Sequence, residues 1–306
     1  MRIGVDLRHV PEPGDPGAGV EHASIELTEA LEKHASEYGI EIVRLTSPKR
    51  AWAFREAVKN VDVLFVPSGS VPPFMPVPCY PWVHDVAIFE HPEWFEQSLV
   101  RRWITTKLFE WGVRHAPHVF AISEDTKKEL INATGVQADR ITVTYQGIRP
   151  ISPGDKRPYA LILGSINPRK HIDFIKDLWL EVQSHVPNAQ LVVAGQPLMQ
   201  FDDAQRDEFV RHATVLLLPS LHEGFGRTAL EAMSAGVPVI ASNRGAIPEV
   251  VGEAGLLLDP YSKEEWVKAI VGAFEGQLDG GKGPAQAARF SWDQTAGIIL
   301  AKLPNH

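Results

Sequence analysis

Cysteine is almost absent, with Cys79 the only one in 306 residues. An internal disulfide is therefore excluded, and the chain fits a reducing compartment. Apolar runs are short, none approaching the ~20 residues that a membrane-spanning helix requires. The opening MRIGVDLRHV reads as a strand and a loop rather than a basic stretch followed by an apolar core, so no secretory signal is read. The expected location is the cytoplasm, with peripheral contact at the inner face of a membrane through the first domain as an open addition. Positive charge is also in deficit: 30 Lys and Arg against 38 Asp and Glu leave a net charge of −8. That balance argues against nucleic acid as a partner, since nonspecific binding draws on a basic surface or stripe. Anionic small ligands stay open, because local charge decides those.

What is present is globular. The chain is 44% hydrophobic with 24 Gly and 24 Pro, and its length suggests two domains at ~150 residues each. Short apolar, β-branched runs (RIGVDL, IEIVRL, DVLFVP, CYPWV, HVFAIS, RITVTY) alternate with helix-like stretches. Gly39 stands where a helix over 20–38 would end. The Pro/Gly stretch RPISPGDKRP at 149–158 reads as a linker, after which the alternation restarts with YALILGS, QLVVAG, TVLLLPS, PVIAS and GLLLDP. Helices are predicted near 171–186, 202–212 and 227–235. The expected organisation is an α/β chain of two open parallel-sheet domains, 1–150 and 151–290. A last helix over 291–306, N-capped by Ser291, is set apart and can pack back on the first domain.

The most informative segment is PSLHEGFGRTALEAMSAGVPVIAS at 219–242. A buried strand delivers the loop His222-Glu223-Gly224-Phe225-Gly226 to its carboxyl end, where open α/β sheets bind ligands. Unpaired amides at the start of the following helix favour an anion such as a diphosphate. Glu223 and Glu231, eight apart, could each grip hydroxyls on a different part of one ligand. Diphosphate between two hydroxyl-bearing parts describes a nucleotide sugar. The plainer reading, a solvated Glu231 and a tight Gly turn, stays open for this loop alone. A second loop, Ile166-Asn167-Pro168-Arg169-Lys170, leaves the same sheet edge and adds a guanidinium and an ammonium suited to a diphosphate.

In the first domain, His84 and Asp85 sit at a strand end within HDVAIFEHPEWF at 84–95. No ligand spacing among His84, Asp85 and His91 stands out, so a metal site is not expected. The loop Gly17-Ala18-Gly19-Val20-Glu21-His22 lacks the third glycine of a dinucleotide fingerprint and starts too far past its strand. Ser123 reads as a helix N-cap. The helix near 97–114 carries Leu99, Val100, Trp103, Ile104, Leu108 and Trp111 among Arg101, Arg102, Lys107 and Arg114. Core packing of an amphipathic helix is the expectation there, ahead of membrane-surface binding.

The segments LGSINPRKHIDF, PSLHEGFGRTALEAMSAGVPVIASN, GAIPEVVGEAGLLLDP and FSWDQTA resemble a retaining glycosyltransferase of family 4, mannosyltransferase-like branch. The resemblance covers nearly the whole chain and implies the GT-B fold, two Rossmann-like parallel-sheet domains facing a cleft. It implies that Arg169 and Lys170 hold the donor diphosphate. Glu223, Gly224 and the amides of Phe225 and Gly226 would then meet the donor sugar, and Glu231 the ribose. His84 is implied to face that sugar, so His84 and Glu223 are the catalytic candidates, and Gly19 is implied to approach the donor phosphate or the acceptor. The partners implied are a nucleoside-diphosphate sugar, weakly GDP-mannose, and a glycan, lipid-linked or small-molecule acceptor, with neither cofactor nor metal.

Two departures stand out. Gly195 to Thr214 leaves room for one helix where the family places a further strand and helix, so the chain is a short member truncated near 196–213. Position 165 is serine where many members carry arginine. A non-catalytic nucleotide-sugar-binding or partner protein is therefore the alternative from another class. A glycoside hydrolase would use two carboxylates but has no use for Arg169 and Lys170. An epimerase of the same fold would need no acceptor.

Overall fold

The computed structural model describes residues 1–10, 19–48, 50–95, 97–164, 167–195 and 202–303. The chain divides into two units, residues 1–147 with 291–306, and residues 148–290. In the first, the elements run β1 (Arg2–Asp6), α1 (Gly19–Ala35), β2 (Glu41–Leu45), α2 (Ala51–Val58), β3 (Val63–Val66), β4 (Cys79–Val83), α3 (Ala87–Glu90), α4 (Leu99–His115), β5 (Val119–Ala121), α5 (Glu124–Thr134) and β6 (Ile141–Val143). The strands form one sheet in the order β2-β1-β3-β4-β5-β6, every pair parallel.

β3 and β4 are buried at every position, which is why they read as unbroken apolar runs rather than alternating ones. Trp82 is fully buried, and its indole N–H donates to Thr144 Oγ1 at 3.0 Å, satisfying the one polar group it carries inside. The helix ends follow the residues that stop them. Gly39 ends the first helical segment at φ 66°, and the Ser123 hydroxyl accepts from the Thr126 N–H at 2.9 Å. Burial pushes the Cys79 thiol up to about 12.

The second unit runs β7 (Arg157–Leu163), α6 (Ile172–His185), β8 (Gln190–Ala194), α7 (Asp203–His212), β9 (Ala213–Leu218), α8 (Arg227–Ser234), β10 (Val239–Ser242), α9 (Ile247–Val251), β11 (Leu256–Leu258), α10 (Lys263–Phe274) and α11 (Gly283–Ala287). Its parallel sheet has the order β11-β10-β9-β7-β8. Ile175, Leu178, Val215, Leu217, Ile240 and Trp266 close one face of it. The stretch 149–158 is docked rather than free: the Ile151 N–H donates to Ser234 Oγ at 2.9 Å, and Arg149 pairs with Asp207 at 2.9 Å. One helix, α7, occupies the described part of the interval between β8 and β9. The chain then returns to the first unit as α12 (Trp292–Lys302), which lies along α1. Trp292 donates its indole N–H to Glu26 at 3.0 Å, and Lys33 donates to Asp293 at 2.8 Å.

α4 corrects an expectation. Its apolar residues are not in the core: Leu99 is 72% exposed, Val100 69% and Trp103 63%, with Ile104 and Leu108 also in solvent. The helix seats itself through Phe109, Gly112 and Val113 instead. No described helix is long and apolar enough to cross a membrane.

Candidate functional site

Within the second unit, the loops that follow β7 and β9 leave neighbouring strands at their carboxyl ends. They are tied together by the backbone, the Leu221 N–H donating to the Arg169 carbonyl at 2.7 Å. Asn167, Pro168, Arg169 and Lys170 make a tight turn that ends at His171 in the left-handed region, φ 52°. Gly164 lies beside Lys170 at φ 131°, a backbone conformation that side-chain-bearing residues rarely adopt.

Lys170 reaches across and donates to Glu223 Oε1, and Ser220 Oγ donates to the same oxygen at 2.8 Å. Both side chains of the pair are nearly buried, Lys170 at 12% and Glu223 at 11% exposed. Burial opposes ionisation of Glu223. The Lys170 and Arg169 charges, with the hydrogen bonds from Lys170 and Ser220, outweigh it and hold the carboxyl below its ordinary range. Glu223 is fixed from behind as well: its carbonyl accepts from the Ala246 N–H at 3.0 Å, and Gly245, at φ 58°, presses so close that a Cβ would stand 2.7 Å from that oxygen. Only glycine fits there.

Glu231 is not the solvated helix residue of the plainer reading. It is 2% exposed on α8, and its Oε1 takes both Arg227 Nε, at 3.0 Å, and the guanidinium of Arg206. Burial again opposes ionisation, and the two arginines reverse it, keeping the carboxyl below its usual value. Its Oε2 is buried with no hydrogen-bond partner among the described residues. Such an acceptor costs about 1–3 kcal/mol until something pairs it.

The structure thus brings Arg169, Lys170 and Glu223 together and gives Glu231 different cations. Gly226 caps α8 at φ 99°, a left-handed conformation that turns the chain into the helix. Gly224 and Phe225 are buried in the same loop, and the Phe225 ring packs edge-on against Phe290 at 5.6 Å. Arg206 was not legible beforehand: it comes from α7, 25 positions before its partner, and no local pattern announces the pair.

In the first unit, His84 follows β4 and borders a cavity of about 250 Å³ with Ser68, Asp85, Phe89, Thr106 and Phe109. Nε2 lies 2.7 Å from the Pro67 carbonyl and Nδ1 3.2 Å from Gln146 Nε2. A carbonyl only accepts, which assigns the proton to Nε2 and leaves Nδ1 to accept from the amide. Burial pushes the imidazole down to about 4, against the Pro67 hydrogen bond that favours charge. His84 is therefore neutral at physiological pH, with both nitrogens engaged by its own unit. The structure places it as an uncharged imidazole in the wall of the cavity, with Trp82 edge-on at 4.5 Å. His91 is occupied otherwise, stacked on Trp94 at 3.9 Å. Gly19 opens α1 with no described residue within 4 Å of where a Cβ would stand, and Gly17 and Ala18 lie outside the described residues, as do Ser165, Ile166 and 196–201.

A stability prediction follows. An unfolded imidazole titrates near 6.5, so folding excludes a proton from His84 between that pH and its folded value of about 4. The stabilisation is complete above the unfolded value and disappears as pH falls through the window, up to about 3 kcal/mol. Thermal melts should show His84→Gln losing less stability than the parent between about pH 7 and about pH 5; parallel losses would refute it.

The family model described as Glycosyl transferases group 1 matches residues 157–275, and that of Glycosyltransferase Family 4 matches 5–150. O-antigen chain mannosyltransferase B of Escherichia coli is 29% identical, across 83% of this chain and 77% of that protein. D-inositol 3-phosphate glycosyltransferase of Mycobacterium marinum is 28% identical, across 62% of this chain and half of that protein. Among solved structures, Anabaena Alr3699/HepE in complex with UDP and glucose superposes with a TM-score of 0.73 at 17% identity, covering 99% of this chain and 100% of that one. Sucrose-phosphate synthase from Thermosynechococcus elongatus also gives 0.73, at 17% identity, over 98% of this chain and 97% of that one. The two sheets, the two joined loops and the family matches converge: the chain is a glycosyltransferase of family 4 with the GT-B fold, similar to mannosyltransferases.

Proposed function

We propose that the chain moves a hexosyl unit, of mannose or glucose type, from a nucleoside-diphosphate sugar to an acceptor hydroxyl with retention and without a divalent metal. One observation carries this reading. At the loop edge of the second unit, Arg169 and Lys170 act on one carboxylate, Glu223, while Arg206 and Arg227 converge on Glu231 with Asp203 3.9 Å from Arg206. In a chain of net charge −8, this is a local surplus of positive charge with buried acidic partners, and a diphosphate complements it.

In the reaction, the bond from the anomeric carbon to the diphosphate breaks and one to the acceptor oxygen forms on the same face. The acceptor proton passes to the departing phosphate. Charge grows on the diphosphate as it leaves, and cations fixed beforehand lower that barrier without reorganising. Arg169 and Lys170 supply what a divalent ion would otherwise provide. Ionised Glu223 can only accept, so it would hold donor hydroxyls, and Glu231 Oε2 offers a buried acceptor to the ribose. The named mannosyltransferase relative and the UDP-bound neighbour support the class of donor, with GDP-mannose the first candidate.

The test is thermal shift with UDP-, GDP- and ADP-sugars, free of divalent ions. A ligand that binds only the folded state raises the melting temperature by mass action. One donor should stabilise the chain and fail to stabilise Lys170→Ala. No shift with any donor, or a shift kept in that variant, would overturn the assignment.

A further inference from the structure

Glu231 carries both of its cationic partners on one oxygen. Its side chain is buried, and the guanidiniums that reach it, from Arg206 and Arg227, both land on Oε1. An arginine fork commonly takes the two oxygens of a carboxylate side by side. Here Oε2 is left buried, with no hydrogen-bond partner among the described residues. The two arginines are not equivalent. Arg227 lies on α8 itself, one turn before Glu231, a spacing at which any helix brings two side chains together. Arg206 comes from α7, so it fixes the carboxylate against a different element.

α7 is a firm base for that contact. Asp202 caps it, its carboxylate accepting from the Gln205 N–H at 2.8 Å while Gln205 Oε1 accepts from the Asp202 N–H at 3.3 Å. Val210 is fully buried, the Tyr159 hydroxyl donates to the Phe209 carbonyl at 2.7 Å, and Asp207 pairs with Arg149. The other carboxylate near Arg206, Asp203, stands 3.9 Å away and is largely in solvent. Burial is the largest influence on Glu231 and opposes its ionisation. Arg206 is the larger of the two cations that overcome it. Arg206 is thus preset by the fold, and Glu231 Oε2 is what its grip leaves over.

We propose that Arg206 is a positioning residue for the donor nucleotide: by occupying Glu231 Oε1 from α7 it aims Oε2 at a ribose hydroxyl, and the site's preference for a hydroxylated ribose depends on it. The inference deepens the donor reading given above and rests on it. Arg206 acts through Glu231 and needs no contact with the nucleotide. The rival role is a plain tie between α7 and α8. Loss of such a tie would weaken every nucleotide alike, whatever hydroxyls it carries.

Calorimetric titration of the full chain separates the two roles without any turnover. The probes are GDP, UDP and ADP, each beside its 2′,3′-dideoxy analogue. The parent should bind the nucleotide of its donor at least about tenfold more tightly than the dideoxy form, the usual worth of a hydrogen bond to a charged group. Arg206→Met keeps an apolar stem and removes the cation. It should weaken the ribonucleotide while leaving the dideoxy form within about twofold of the parent, so the ratio falls to about threefold or less. Arg206→Lys keeps a cation beside Glu231, and so the fold, but has a single prong in place of the fork; its ratio should lie between the two. Circular dichroism melts identify which variants are folded. A parental ratio in the folded variants, or equal weakening of both nucleotide forms, would overturn the proposal. So would a parent that binds both forms alike, and each of these results leaves the nucleotide-sugar donor standing. Binding of none of the three nucleotides would overturn the donor reading and the proposal with it.

Discussion

Replacing Lys170 by alanine is expected to lower turnover by about 10²–10³-fold, the usual cost of deleting one group that stabilises developing negative charge. The same change should also destabilise the fold. Lys170 and Glu223 are both nearly buried and bonded to one another, and removing one member leaves a buried charge without its partner, a loss of about 3–5 kcal/mol. Burial then acts on Glu223 with less opposition, since Lys170 is the larger of the two cations holding its carboxyl down. The two effects are separable. Lys170→Ala combined with Glu223→Gln removes the stranded charge, so melting temperature should recover while turnover does not. Wild-type turnover in a folded Lys170→Ala protein would remove Lys170 from the donor site. Recovery of both properties in the double variant would show that the pair only holds the loops together.

The second large effect is expected at Glu231. Two guanidiniums, from Arg206 and Arg227, converge on one of its oxygens. Alanine there leaves two like charges side by side with no carboxylate between them, and about 3–5 kcal/mol of stability should go. Glutamine is the informative variant. It keeps an acceptor for the arginines and loses only the charge-assisted part, about 1.5–3 kcal/mol. If the buried Oε2 is there for a donor hydroxyl, Glu231→Gln should raise the KM for the donor and leave kcat at saturation much less changed. A donor KM equal to the parent's, in a variant shown by its melt to be folded, would make Glu231 a purely structural clamp for α7 and α8.

How much of this could be read from the chain follows physical lines. The alternation of buried strands and helices was legible because a strand covered on both faces must be apolar throughout, as β3 and β4 are. Helix ends at Gly39, Ser123 and Ser291 were legible because capping is chemistry between near neighbours. The loops bearing Arg169, Lys170 and Glu223 could be placed at one sheet edge because parallel strands send all their exits to the same side. Contacts between distant residues were not legible. Nothing near Glu231 points to Arg206, and nothing in HDVAIFEHPEWF says that Pro67 and Gln146 occupy both nitrogens of His84. α4 shows a different limit. Periodicity identifies which face of a helix is apolar, but what lies opposite that face is a property of the fold, and here none of the described residues covers it.

Cys79 has a practical consequence for labelling chemistry. Thiol reagents attack through the thiolate, and a buried thiol held near 12 forms almost none at neutral pH. The parent protein should therefore be a nearly blank background for maleimide dyes and spin labels. A single cysteine placed on any exposed position, such as the outward face of α4, would carry essentially all of the signal, with no native residue to remove first.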